Sequence, residues 1–231
     1  MNSSLQIVLA VLAIIFLLYA SYYFYNKSQK PYHVELVDKP IFMVENYNEE
    51  IDKFLIPKSK DGQKYTYSFW IRFVNMGNSG TWKNYDSPKG IISHFNSPNI
   101  FYIPKDHILR ILVGYKGNTE MTEKYSFDIE NLQLQHWEHI ALTVDGENVS
   151  VYVNGELFKS IILPNTPFIT EKSLYIGQKF NNFNGYLAKF EYWNTSLDID
   201  QIRNIYKKNE GTLSNKLISY NEFYINKNFL S

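Results

Sequence analysis

The stretch TVDGENVSVYVNGELFKS, residues 143–160, constrains the fold more tightly than any other. It sets two tight-turn pairs, Asp145-Gly146 and Asn154-Gly155, around a five-residue run from Val149 to Val153. Asp-Gly and Asn-Gly readily take the positive φ angles that two-residue turns between antiparallel strands require. Between them Val149, Val151 and Val153 fall on one side of an extended chain, and Ser150, Tyr152 and Asn154 on the other. The segment therefore predicts a strand–turn–strand–turn–strand meander with one buried face.

The period of two recurs along most of the chain. Strands are predicted at 65–74, 90–95, 100–103, 108–115, 125–129, 136–144, 173–178 and 185–193, and an edge strand at 33–44 broken by Pro40. Short strands separated by Gly, Asn, Asp and Pro turns indicate an all-β antiparallel sandwich or barrel. Phe69, Ile71 and Phe73 share one face of the 65–74 strand. In GYLAKFEYW, strict alternation turns Tyr186, Ala188, Phe190 and Tyr192 inward and Lys189 and Glu191 to solvent. SLDIDQIRNIYKKNEG predicts one short helix near the C-terminus. It has Asp198 as N-cap, Gln201 as its capping-box partner, an Ile202/Ile205/Tyr206 stripe, and Lys207 and Lys208 at the negative end of the dipole.

Residues 5–25, LQIVLAVLAIIFLLYASYYFY, carry no charge. About 20 helical residues cross a ~30 Å hydrocarbon core, so this run predicts a single N-terminal transmembrane helix. Leu5, Ile7, Leu9, Leu12, Ile15 and Leu18 form its apolar body, with Tyr22 and Tyr25 in an interfacial belt. No Lys or Arg precedes the run and no small-x-small cleavage site follows it, which favours an anchor over a signal peptide. The expected domains are an anchor and flank over 1–30 and a sandwich over 31–231. Lys27 and Lys30 follow the helix, so the positive-inside rule places the C-terminal domain on the cytoplasmic side. The sequons at Asn148 and Asn194 are then incidental.

The segments YTYSFWIRF, HWEHIALTVDGENVSVYVNGELFKS and LYIGQKFNNFNGYLAKFEYWNTSLDIDQIRNIY resemble, in that order, the laminin-G-like or concanavalin A-like jelly-roll domains, over residues 60–208. The resemblance implies a jelly roll with Trp70, Trp137 and Phe190 in its core. It also implies lectin-like binding, in many relatives through Ca²⁺ at the sandwich rim. SPNIFYIPKDHILRILV further resembles membrane-anchored proteins of large DNA viruses, which implies a place in a virion internal membrane or a minor capsid role.

Composition narrows the chemistry. Lys plus Arg and Asp plus Glu number 23 each, so no basic excess invites nucleic acid, and the absence of cysteine removes thiolate sites and a Cys nucleophile. No G-x-S-x-G, P-loop or dinucleotide motif is present. In HWEH, residues 136–139, alternation sends His136 and Glu138 to one side and Trp137 and His139 to the other, so the group does not converge. Relatives that hydrolyse polysaccharides use E-x-D-x-x-E, and Asp128-Ile129-Glu130 lacks the third acid. The acidic cluster Glu45, Glu49, Glu50 and Asp52 reads as a solvated surface. The loop acids Asp86, Asp106, Glu120, Glu123 and Asp145 do not map onto a Ca²⁺ ligand set, so no cofactor is expected. The most suggestive loop is NMGNSGTWKNYDSPKG, where Trp82 and Tyr85 offer faces for sugar rings and Asn84 and Asp86 offer groups for hydroxyls. The expected function is a membrane-anchored, non-catalytic binding or structural module. Its expected partners are the bilayer and either glycans or proteins of a capsid or membrane assembly. A glycan-processing hydrolase is the alternative.

Overall fold

Residues 11–23, 33–43, 47–57, 63–74, 87–117, 122–179 and 181–227 are described by the computed structural model. The chain divides into two compact units, Met1–Tyr32 and His33–Ser231. In the first, residues 11–23 form helix α1, and Leu12, Ile15, Leu18 and Tyr22 are exposed on it. Leu5, Ile7, Leu9 and Tyr25 lie outside the described residues. Among the described residues no helix is long and apolar enough to cross a membrane.

The second unit is the antiparallel sandwich. One sheet pairs β1 (His33–Val37), β13 (Gly185–Trp193), β4 (Lys64–Phe73), β9 (Glu138–Asp145), β10 (Asn148–Val153) and β11 (Glu156–Ile162) in that order, with β2 (Ile41–Phe42) also on β13. The other runs β3 (Glu49–Ile51), β12 (Leu174–Ile176), β5 (Lys89–Ser93), β6 (Asn99–Ile103), β7 (Ile108–Lys116) and β8 (Thr122–Ile129). β1 and β2 fall on either side of Pro40, as a residue without an N–H demands. The meander of β9, β10 and β11 turns at Gly146 and at Asn154-Gly155, all with positive φ. β3 falls in a stretch that shows no alternation in sequence, and pairs with β12 over three residues.

Tyr65, Tyr67, Phe69, Ile71 and Phe73 of β4 project between the sheets, where they meet Ile100, Ile111 and Phe127 of the second sheet. The intervening Thr66, Ser68 and Trp70 are also buried, but on the outer face, because a helix covers it. Helix α2 (Ile199–Lys227) begins with the expected capping box. Asp198 Oδ1 accepts from Gln201 N at 2.8 Å, and Asp198 N donates to Gln201 Oε1 at 2.9 Å. Ile202 packs with Ala141, Tyr152, Trp193 and Leu197, and Leu213 packs with Trp70 and Ala188. The helix continues well past the capped segment legible in sequence.

This layer corrects two core expectations. Phe190 lies between the sheets, whereas Trp70 lies under α2, its ring stacked on Tyr206 at 5.5 Å with an 11° interplanar angle. Trp137 is half-buried and packs at the margin of the same outer cluster, because β9 begins only at Glu138. Alternation in β13 also fails. A β-bulge between Ala188 and Glu191, with Lys189 at φ 47°, shifts the phase by one residue. Leu187, Phe190 and Tyr192 face inward, while Ala188 joins the outer cluster and Tyr186 stacks near Trp137 outside. Glu191, expected at the surface, is buried beside His33, with Nε2 to Oε2 at 3.4 Å.

Candidate functional site

The inward alternation of β4 creates a chemical problem at its N-terminal end. Tyr65 and Tyr67 both send phenols into the interior, where a hydroxyl must find a partner or a cavity. Tyr192 arrives beside them from β13, because the bulge has put it in phase with the core; its ring centroid is 5.0 Å from that of Tyr67. The second sheet contributes His94 from the turn after β5. The segments 53–57 and 169–172 complete the walls of a pocket of about 330 Å³. That volume lies at the lower end of what small-molecule sites occupy.

The polar groups inside are mostly spoken for. Tyr192 donates to the Pro57 carbonyl at 2.9 Å. His94 Nε2 lies 3.0 Å from the Lys172 carbonyl, which can only accept, so this nitrogen carries the proton. Nδ1 lies 2.7 Å from the Tyr67 hydroxyl, which can donate to it, and 3.2 Å from the Ser97 carbonyl. Burial pulls His94 below the usual imidazole range, against the pull of the Lys172 and Ser97 carbonyls, and so favours the neutral ring. Tyr65 differs from its neighbours. Its hydroxyl is buried beside Ser97, close enough for that side chain to oppose the effect of burial on its pKa, but outside good hydrogen-bond geometry. Burial pushes its pKa up to about 12, and raises those of Tyr67 and Tyr192 as well. The pocket thus presents aromatic faces, the Tyr65 hydroxyl and a His94 ring already bonded on both nitrogens, with Lys53, Lys64, Glu171 and Lys172 also on its walls. Such a lining can bind a ring bearing hydroxyls.

Among the described residues the groups singled out from sequence do not converge on one another. Trp82, Asn84, Tyr85 and Asp86 lie outside the described residues. Asp128 is gripped by Arg110 through two bonds of 2.7 and 2.6 Å, and this contact holds its carboxyl below the usual carboxylate range. Of HWEH, His136 is exposed against the Leu134 carbonyl. Glu138 is buried, accepting from Gln133 N and Asn154 Nδ2. His139 is buried against Ser68 Oγ at 2.8 Å. Glu49 and Glu123 accept tyrosine hydroxyls, Asp52 caps a turn, and Asp145 pairs with Lys64 at 3.0 Å. Among the described residues no three His, Asp or Glu side chains are grouped to hold a metal ion. The tyrosine pocket was missed in sequence, although Tyr-Thr-Tyr on an inward-facing period was its signal.

With the two-sheet topology established, the family follows. A laminin-G model, described as the concanavalin A-like lectin/glucanases superfamily, matches residues 51–203. The chain belongs to this superfamily. No protein of curated function matches it in sequence. Among solved structures, this concanavalin A-like domain is similar to the ligand binding domain of botulinum neurotoxin serotype D in complex with N-acetylneuraminic acid. That similarity has TM-score 0.55 and 14% identity, over 78% of this chain and 46% of the other. It is also similar to the binding domain of Paraclostridial mosquitocidal protein 1, with TM-score 0.53 and 15% identity over 77% of this chain and 45% of the other. The serotype G neurotoxin binding domain gives TM-score 0.51 and 16% identity over 76% and 46%. The chain spans a little under half the length of each. At these identities the shared property is the fold.

Proposed function

We propose that this protein is a non-catalytic binding module that takes a saccharide into the Tyr65/Tyr67/Tyr192 pocket and is held at a membrane by its N-terminal apolar segment. The observation that carries the reading is the Tyr65 hydroxyl, buried in the pocket wall without a partner. An unsatisfied buried hydroxyl costs about 1–3 kcal/mol, part of which a ligand hydroxyl recovers if binding opens the Tyr65 oxygen to the pocket. Edge-on and tilted tyrosine faces supply the apolar complement for a sugar ring. Two binding domains of toxins share the fold, one of them in complex with an acidic sugar, which supports recognition over catalysis. The resemblance of residues 97–113 to viral membrane proteins supports a further reading, a tether or minor structural component facing a capsid shell.

The test is a glycan panel against the full chain in detergent micelles, with affinities by calorimetry. Tyr65→Phe removes only the hydroxyl and should weaken the best ligand about tenfold, equivalent to ~1.4 kcal/mol, while the ligand-free protein melts no lower than the parent. If no saccharide on a broad panel binds the parent, the reading fails. Release of reducing sugar, lost on changing one Asp or Glu, would instead establish a hydrolase.

A further inference from the structure

The mouth of the pocket carries an arrangement that capture of a small ligand does not use. Phe54 is 84% exposed, Leu55 58% and Phe95 48%. Phe54 lines the pocket, Leu55 follows it, and Phe95 follows the lining residue His94 and meets the lining residue Lys172, so the three exposed apolar side chains flank one opening. Fixed turns hold them outward. Asp52 caps the Lys53–Leu55 3-10 turn, its Oδ1 accepting from Phe54 N and its carbonyl from Leu55 N, both at 2.9 Å. The chain then dives so that Ile56 is buried. Phe95 and Asn96 have φ of 50° and 67°, a region an aromatic residue rarely occupies. Bonds on either side hold that conformation, from His94 N to Pro98 O and from Gly114 N to Asn96 O. An unfavourable backbone thus keeps an aromatic ring pointed at solvent.

Each aromatic tip is accompanied by a cation. Lys53 Nζ lies 5.2 Å from the Phe54 centroid and Lys172 Nζ 3.3 Å from that of Phe95. Glu171 is the acid at this mouth. Apolar tips with ammonium groups set beside them match the layering of a bilayer interface, where rings enter the acyl boundary and lysines stay at the phosphates. A rigid protein partner would have to match separate protrusions around an open, partly polar mouth. A fluid interface accommodates them.

We propose that this end of the sandwich docks on a bilayer surface containing anionic phospholipid, with Phe54, Leu55 and Phe95 entering the interface and Lys53 and Lys172 meeting headgroup phosphates. The test uses the full chain carried in phosphatidylcholine nanodiscs, so that the N-terminal segment is occupied equally in every sample. These are mixed with large vesicles of phosphatidylcholine alone or with phosphatidylserine, and co-flotation is measured. The parent should be captured by the phosphatidylserine vesicles, and capture should fall at least tenfold in Phe54→Ser/Leu55→Ser and again in Lys53→Glu/Lys172→Glu. Both variants should melt with the parent, since the four residues are surface groups. Capture of either variant equal to that of the parent, or equal capture of the parent on both vesicle types, would overturn the proposal.

Discussion

Glu191 and His139 lie on the outer face of the first sheet, and burial moves their pKa values so that each disfavours the charged form. Burial first, then the charge of Glu35, pushes the Glu191 carboxyl up to about 7, against the opposing pull of Lys208 and Lys189. A carboxyl raised from its ordinary 4.5 keeps a proton in the folded state that the unfolded chain has released. Its contribution is therefore complete at or below about pH 4.5 and is lost as pH rises towards 7. His139 runs the other way. Burial lowers it to about 3, so the unfolded imidazole takes up a proton that the folded one refuses, and stability is lost as pH falls from 6.5 towards 3. Glu191→Gln should thus gain on the order of 2 kcal/mol over the parent at pH 8 and nothing at pH 4.5, read from urea unfolding at both. The His139 ring resonance should not titrate between pH 5 and 8. The two tryptophans separate by the same logic of burial. Trp70→Ala empties a site under α2 and should cost ~3–5 kcal/mol, whereas half-buried Trp137→Ala should cost no more than ~2 kcal/mol. From sequence both looked alike, because an aromatic residue on a strand shows that it is covered without showing which layer covers it.

At the scale of elements, the meander was readable because its turns are chemically demanding. Asn154 and Gly155 take φ of 51° and 79°. Asn154 also closes the turn itself, receiving His139 N on Oδ1 and donating Nδ2 to Glu138. What sequence did not show is that Gly155 sits beneath α2, where an added Cβ would come within 3.2 Å of the Tyr206 ring. Gly155→Ala therefore meets both backbone strain and a ring that must shift. It should lower stability by ~1–3 kcal/mol in thermal unfolding, against little change for Gly146→Ala beyond its turn strain, since nothing lies within 4 Å there. The bulge at Lys189 was illegible for a related reason. Strict alternation in GYLAKFEYW favours a Tyr186/Ala188/Phe190/Tyr192 face, and only pairing with β4 shows that a bulge puts Leu187 and Phe190 on one face. The pocket depends on that shift, because without it Tyr192 would point away from Tyr67.

On the scale of the whole molecule, the sandwich contains everything its core needs. The principal cluster draws on residues from Val37 to Tyr192, and the two outer clusters are closed by α2, so every described core side chain belongs to the unit His33–Ser231. Residues 11–23, the described part of the uncharged run, supply none of them, and the large apolar side chains of α1 are exposed. Fold and attachment should therefore be separable. Deleting residues 1–32 should leave the unfolding free energy of the sandwich within ~0.5 kcal/mol of the parent. The same deletion should move the chain from the membrane fraction, resistant to carbonate washing, into the supernatant. On the proposed anchoring, the positive-inside rule applied to Lys27 and Lys30 predicts a cytoplasmic sandwich. In sealed microsomes added protease should then digest the domain, and Asn148 and Asn194 should carry no glycan. A protected, glycosylated domain would reverse the orientation, and a parent chain released by carbonate would remove the anchor altogether.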